Sequence, residues 1–226
     1  MNQRRTFLAR LAAGAAAFGA AFALPRDAEA QDAIQSHELD KWIDELKGQH
    51  KQVYDCVTKA HIGEMMYASN FLRANTTDYG LTDAQLVSII SLRHEATPYG
   101  YNDAMWEKYK IGESLDVPAR PTGGRGGRGA TDSSATTTTP DSTARATRNP
   151  QMNMIRSLAD RGAQFTVCGL ATTRYAGEFA RKVNRPSADV RAELVANLVP
   201  NCRVVPAGVV VINRAQERGF SLLYVG

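Results

Sequence analysis

The chain has 226 residues and a formal net charge of +4, with 27 basic and 23 acidic residues. Residues 1–30 hold four arginines and only two acidic residues, so the rest of the chain carries a net charge of +2. Without a basic face interleaved with aromatic residues we expect no nucleic acid partner, and no segment after residue 30 is apolar enough for stable membrane insertion.

Residues 1–30 have the pattern of a bacterial export signal. Arg4 and Arg5 precede an apolar pair, residues 11–24 are mostly alanine and glycine, and a small-x-small cleavage site ends at Ala30. The arginine pair favours the twin-arginine route. We therefore expect cleavage after Ala30 and a periplasmic mature protein. The alternative is an uncleaved membrane anchor, but so Ala/Gly-rich a segment makes a poor membrane span.

The next elements are predicted to run helix, strand, helix. Apolar residues at helical spacing over 37–47 indicate a lead-in helix within the segment 31–50. Residues 51–58 alternate and are rich in strand formers, which predicts a first strand. Residues 61–75 carry a broad, methionine-rich apolar stripe and predict a helix. A single domain over 51–225 is expected to contain these and all later elements.

Residues 85–93 carry two conflicting patterns. Their dense valine and isoleucine content predicts a buried strand. Thr82 and Gln85, however, have the spacing of a helix capping box. We favour the strand, because the segment also follows a helix and precedes a proline. A short helix capped by Asn102 or Asp103 is expected next.

Residues 118–150 interrupt the domain. They contain no Val, Ile, Leu, Met, Phe, Tyr or Trp, and they include GGRGGRG at 123–129 and SSATTTT at 133–139. Such a segment has no apolar area to offset its ordering entropy, so we predict a disordered Gly/Thr/Arg-rich insertion.

The second half again alternates helices and strands. Its periodicities predict a helix over 151–161, a strand over 163–168, two consecutive helices through Leu198, and strands over 203–205 and 220–225. Residues 208–218 remain ambiguous, because Val-Val-Val-Ile favours a strand and the residues after it favour a helix with a glycine stop.

Strands that alternate with helices predict a doubly wound α/β fold. Right-handed crossovers place the helices on both faces of a mainly parallel sheet, here of about five strands. Such sheets bind ligands outside the carboxyl ends of their strands. The residues that follow the strands are therefore the first candidates for a site.

Three segments resemble the DsrE/DsrF-like family. They are LADRGAQFTVCG at 158–169, VVPAGVV at 204–210 and QERGF at 216–220. The likeness covers most of 51–117 and 151–225. The resemblance implies a compact doubly wound α/β domain that assembles as a trimer or hexamer, and it favours a helix for the ambiguous segment.

In the best-known members of that family, which are cytoplasmic sulfur-relay proteins, a cysteine carries sulfane sulfur as a persulfide. This chain departs from them in its predicted export, in a longer two-helix connection after Cys168 and in the insertion at 118–150. The role of the cytoplasmic members therefore does not transfer directly.

Cys168 is the candidate thiol. It ends a predicted strand, Gly169 follows, and a helix begins within a few residues. A helix N-terminus stabilises a thiolate, which is the form that attacks persulfide or disulfide sulfur. The alternative is an inert cysteine that packs in the core. Cys56 is expected to be structural, Cys202 starts a short strand at a position that allows exposure, and the sequence does not decide whether any two of the three form a disulfide.

Two histidines complete the candidate site. His61 and His94 follow the first two strands and should lie at the same sheet edge as Cys168, where an imidazole can accept a thiol proton. With Glu64 they also form a weak candidate metal site. Since HExxH and paired CxxC motifs are absent, we expect no metal or other cofactor.

These residues favour an exported DsrE-like protein that binds or relays sulfur through Cys168, with donor and acceptor unknown and turnover left open. The alternatives are a non-enzymatic periplasmic binding or assembly module and a metal-binding domain. The last strand, 220–225, is apolar on both faces and has no helix after it, so it must be internal or covered by another subunit. We expect a homo-oligomer, with a monomer as the alternative.

Overall fold

The computed structural model of the protein describes residues 37–59, 63–119 and 143–225, without the side chains of 63 and 64. The predicted export signal, His61 and most of the predicted insertion lie outside the described residues. The sheet and its α-helices lie in one compact unit, Leu39–Gly226.

Five parallel strands form the sheet of this unit. They are β1 (His50–Cys56), β2 (Leu86–Leu92), β3 (Gln164–Cys168), β4 (Cys202–Val205) and β5 (Ser221–Val225). Their order in the sheet is β4-β3-β2-β1-β5, and every adjacent pair is parallel. The predicted doubly wound α/β class with about five strands is confirmed.

Helices connect the strands. They are α1 (Lys41–Asp44), α2 (Gly63–Thr77), α3 (Asp103–Lys108), α4 (Ile111–Ser114), α5 (Met152–Asp160), α6 (Gly169–Val183), α7 (Ser187–Ala196) and α8 (Gly208–Gln216), with 3-10 helices at Glu38–Asp40, Asp83–Gln85 and His94–Gly100. The ambiguous segment at 208–218 is therefore a helix. No helix in the described part of the chain is long and apolar enough to cross a membrane.

Both patterns at 82–93 are real. The side chain of Gln85 accepts a hydrogen bond from the backbone N–H of Thr82 at 2.9 Å, which completes a capping box. The box closes only the 3-10 turn Asp83–Gln85, and the strand begins at the next residue, Leu86. A local cap and a buried strand therefore occupy adjacent residues, because the capping contacts end where the sheet pairing starts.

One face of the sheet, called here the first face, carries Tyr54, Ile90 and Phe165. All six helices from α2 to α7 contribute to the large apolar cluster on this face. Their most deeply buried side chains include Leu72, Trp106, Ile111, Ile155, Phe179 and Leu194. The buried indole N–H of Trp106 is satisfied by a hydrogen bond to the carbonyl oxygen of Pro98 at 2.9 Å. This face holds most of the hydrophobic core.

The opposite face, called here the second face, carries Val53, Ile89 and Val205. In the described part of the chain, the nine-residue helix α8 and the four-residue helix α1 cover it. The apolar side chains that pack on it are Ile43, Val211, Ile212, Ala215 and Phe220. Because β2 is covered on both sides, all seven of its residues are buried and its sequence is mostly apolar.

The prediction of a disordered segment over the whole of 118–150 is wrong for residues 143–150. The side-chain amide of Asn149 is buried and donates to the carbonyls of Tyr99 and Tyr101 at 2.7 and 2.9 Å. The N–H of Ala146 donates to the carbonyl of Val117 at 2.9 Å. These residues are held by hydrogen bonds to backbone, which an analysis of apolar content does not detect.

Strand β5 lies at an edge of the sheet beside β1. The alternative that this strand is internal is therefore wrong. Leu222 and Tyr224 on β5 are 40% and 61% exposed.

Candidate functional site

All five parallel strands point their carboxyl ends to the same end of the sheet, and an open pocket of about 290 Å³ lies at that end. Cys168, the last residue of β3, lines it, together with Arg93 and His94 from the segment that follows β2. The start of α6 and the start of α8 form the rest of its wall, through Leu170, Ala171, Arg174, Ala207, Gly208 and Val209.

Cys168 belongs to the second face, on the same side of β3 as Thr166. It caps α6 with an extended backbone, at φ −69° and ψ 118°, so the strand turns directly into a 15-residue helix. The residue is only 9% exposed. The described part of the chain supplies no hydrogen bond to its thiol. The sequence therefore placed this cysteine correctly at the end of a strand and the start of a helix.

Two glycines bring the strand–helix connections together around the thiol. A Cβ at Gly169 would lie 2.9 Å from the carbonyl oxygen of Val205, which ends the neighbouring strand. A Cβ at Gly208 would lie 2.6 Å from the Cβ of Arg93. Both distances are shorter than side chains tolerate, so these positions require glycine for α6 and α8 to begin so close to the pocket.

Arg93 is fixed by a buried carboxylate. Its Nε and a terminal nitrogen donate to the two oxygens of Asp55 at 2.6 and 2.9 Å. Asp55 is 6% exposed. The hydrogen bonds to Asp55 raise the pKa of Arg93, against the opposing effect of burial, and a negative charge on the nearby Cys168 would act in the same direction. A guanidinium of fixed orientation therefore stands beside the thiol.

His94 lies in the pocket wall with a left-handed backbone, at φ +55°. It opens the 3-10 helix His94–Gly100 and is exposed. The structure thus brings two of the three predicted site residues, Cys168 and His94, to one pocket, whereas His61 lies outside the described residues. Among residues 37–59, 63–119 and 143–225, no group of three or more metal-binding side chains is found.

Arg174 was not identified from the sequence. Its guanidinium lies 4.3 Å from the centre of the Tyr175 ring, and it lines the pocket from the second turn of α6. Arg93 and Asp55 were also missed as site residues. A sequence signal existed for Asp55, since an acidic residue inside an otherwise apolar strand needs a buried partner.

The other two cysteines belong to the first face. Cys56 is fully buried and its thiol contacts the carbonyl of Tyr54 at 3.9 Å. Cys202 is partly buried against the first-face cluster, and burial raises the pKa of its thiol to about 12. All three cysteines are free thiols.

A row of polar side chains crosses the second face below the pocket. Asp55, Ser91, Thr166 and Arg203 are neighbours in register on four adjacent strands. The hydroxyls of Ser91 and Thr166 are buried without a hydrogen-bond partner in the described part of the chain. The row lies two residues before Cys168 along β3.

A larger concavity, of about 560 Å³, lies where α6 ends and α7 begins. Its wall includes Arg181, Asn184 and Arg185 but no thiol or imidazole. We therefore place the candidate site at the smaller pocket, where the groups that can do chemistry meet.

A comparison with protein-family models gives no match, and a comparison with curated proteins gives none. Among solved structures, a protein of unknown function from Methanobacterium thermoautotrophicum is similar at 11% identity, with a TM-score of 0.39. The similarity covers 78% of this chain and 99% of that chain. A functional assignment therefore has to come from the site itself.

Proposed function

We propose that this protein is an exported, DsrE-like protein that binds or relays sulfur through Cys168. One observation carries the proposal. Of the three cysteines, Cys168 is the one that lines either of the two concavities described above, and it does so at the N-terminus of a long helix and beside a fixed guanidinium. Cys56 and Cys202 pack into the core of the first face.

The chemistry needs a thiolate and a donor that carries a sulfane sulfur. The sulfur of Cys168 attacks the sulfane sulfur, a new S–S bond forms, and the S–S bond of the donor breaks with its electron pair left on the donor. The thiol proton passes to His94 or to water. The partial positive charge of the α6 N-terminus and the charge of Arg93 stabilise negative charge on the sulfur before and after transfer.

The test compares thiols in the mature protein. One variant keeps only Cys168, with Cys56 and Cys202 replaced by serine, and its matched control keeps only Cys202. We expect Cys168 to alkylate at least about tenfold faster than Cys202 between about pH 5 and 9. Equal rates in the two folded variants would contradict the proposal. The Cys168-only variant should also take up one sulfur atom from a persulfide donor, as measured by intact mass.

A second candidate is a non-enzymatic binding or assembly module in which Cys168 is inert. The observation that favours it is the apolar rim of the pocket, where Leu170 and Val209 are 71% and 59% exposed. Exposed side chains of this size beside a pocket are common at protein contacts. Slow alkylation of Cys168 would favour this candidate over sulfur chemistry.

The proposal includes export by the twin-arginine route. Replacement of Arg4 and Arg5 by lysine should leave the precursor in the cytoplasm, whereas the native mature protein should begin at Gln31 and be recovered from the periplasm. Fractionation shows which compartment holds the protein, and N-terminal sequencing of the periplasmic fraction gives its first residue. Unchanged export of the double variant would exclude this route.

We also propose a homo-oligomer, as a trimer or hexamer. The edge position of β5, together with its exposed Leu222 and Tyr224, supports association, because an uncovered edge strand exposes backbone hydrogen-bonding groups. Sedimentation of the mature protein at rising micromolar concentration tests this. A species that stays monomeric throughout would overturn it.

A further inference from the structure

The pocket at Cys168 is cationic. Arg93, Arg174 and His94 line it, and none of its lining residues carries a carboxylate. Asp55 offsets part of the charge of Arg93 from outside the pocket wall. Arg174 is exposed and lies against the ring of Tyr175, and no ion pair of its guanidinium is found among the described residues. A small anion entering this pocket therefore meets positive charge on two sides.

The N-termini of two helices add to the positive charge around the pocket. The pocket wall includes Leu170 and Ala171, the second and third residues of α6, and Gly208 and Val209, the first and second residues of α8. The first N–H groups of a helix have no intrahelical acceptor and carry partial positive charge. Both helices are long enough for this effect, with 15 and nine residues. Helix N-termini of this kind bind oxyanions.

A second, independent observation points to a ligand. Cys168 is only 9% exposed and lines this pocket, and its thiol has no hydrogen bond within the described part of the chain. Most buried polar groups in proteins have a hydrogen-bond partner, either another protein group or ordered water, so a polar group without one that faces a pocket is open to a ligand. The thiol at the floor and the cations at the walls together define a ligand with sulfur at one end and negative oxygens at the other.

We propose that the pocket binds a small sulfur oxyanion that carries a sulfane sulfur, the chemical class of thiosulfate. Its oxygens contact Arg93, Arg174 and the N-termini of α6 and α8, and its sulfane sulfur faces Cys168. The transfer step rests on the proposed function, whereas binding of the anion does not. In that step the thiolate attacks the sulfane sulfur, the S–S bond of the anion breaks, and sulfite leaves with the electron pair, so no oxidant is required.

Binding is tested first without sulfur chemistry, in the full mature chain carrying Cys168→Ser. Thiosulfate should bind this variant in a calorimetric titration and raise its melting temperature. Arg174→Gln in the same background should weaken binding at least about tenfold, because a charge-assisted contact is lost. Arg181→Gln is the matched control, since Arg181 lies on the same helix but lines the other concavity. Arg93→Gln is a second test and must first be shown to fold.

The outcomes separate the two proposals. Binding that falls with Arg174→Gln but not with Arg181→Gln supports the anion site, and sulfite release from the wild-type protein then supports sulfur transfer as well. Binding without sulfite release and with an unreactive Cys168 supports the anion site and contradicts the proposed function. Absent binding, equal effects of the two arginine variants, or equal affinity for phosphate would overturn the inference even if Cys168 alkylates rapidly.

Discussion

The two faces of the sheet are covered to different depths, and their side chains differ accordingly. Six helices contribute to the cluster on the first face, which is aromatic and aliphatic. Among the described residues, the second face is covered by α8 and the short α1, and it contains the polar row that includes Asp55 and Thr166. Burying polar groups is costly where they cannot be paired or hydrated. The more thinly covered face of the described structure carries the buried carboxylate of Asp55 and the candidate site.

The cysteines follow the same division. Cys56 and Cys202 lie on the first face and behave as small apolar residues, whereas Cys168 lies on the second face beside Arg93. The chemical roles of three identical side chains therefore depend on which face each strand position presents. Because the residue type does not reveal this difference, substitutions on the two faces are needed to test it.

The largest effect is expected from a pair of adjacent residues on β2. Ile89 and Ile90 are both fully buried but lie on the second and first faces. Ile90→Ala should destabilise by about 4 kcal/mol and Ile89→Ala by about 2–3 kcal/mol, because the thinner cover of the second face can move into the cavity. Urea unfolding measures both. A larger loss for Ile89→Ala would show that the second face is packed as rigidly as the first.

The next largest loss of stability is expected when the ion pair of Asp55 and Arg93 on the second face is broken. Asp55→Asn should destabilise by about 2 kcal/mol, because it leaves the partly buried Arg93 without its counter-charge. Asp83→Asn is the matched control, since Asp83 also forms a close pair with an arginine, Arg161, but is 41% exposed. That control should cost less than about 1 kcal/mol. Equal losses of stability in urea unfolding would mean that burial does not make the Asp55–Arg93 pair more important for stability than the exposed pair.

A charged cluster around Glu193 joins helices that cover the first face. Its contribution to stability should be lost at acidic pH. Glu193 accepts hydrogen bonds from Lys108, Tyr109 and Arg185. These bonds, that from Lys108 foremost, lower the pKa of Glu193 from 4.5 to about 2. Because the pKa is lower in the folded state, the stabilisation is complete above pH 4.5 and is lost as the pH falls towards about 2.

The measurement compares the wild-type protein with Glu193→Gln by unfolding at a series of pH values. The wild-type protein should be more stable above pH 4.5, and the difference should shrink as the pH falls towards about 2. A difference that stays constant across this range would show that the carboxylate charge is not what the cluster depends on.

The smallest effect is expected at the polar row. The hydroxyl of Thr166 is buried without a partner in the described part of the chain, so Thr166→Val should stabilise by up to about 1 kcal/mol while keeping the shape of the side chain. Thr172 is the matched control, because it is also buried but its hydroxyl accepts a hydrogen bond from Tyr101 at 3.0 Å. Thr172→Val should therefore destabilise in the same urea unfolding experiment. A loss of stability at Thr166 would instead indicate a bound water.

Several features of the site were predictable because they are local in the chain. The position of Cys168 at the end of a strand follows from an apolar run, a glycine and a helical periodicity within roughly 20 residues. His94 was likewise identified as the residue just after a strand. Arg174 and Asp55 were not, because their roles arise from register between strands and from helix packing, which the periodicity of one segment does not contain.

The amino-acid sequence by itself determined the alternation of helices and strands, since hydrophobic periodicity is set residue by residue along the chain. It also determined where the glycines and the candidate thiol stand relative to those elements. The tertiary structure decided that β5 lies at an edge, that Asn149 is held by the backbone at Tyr99, and that Arg93 stands beside Cys168. Those contacts join residues about 50 to 170 positions apart, and only the packing of the whole sheet brings them together.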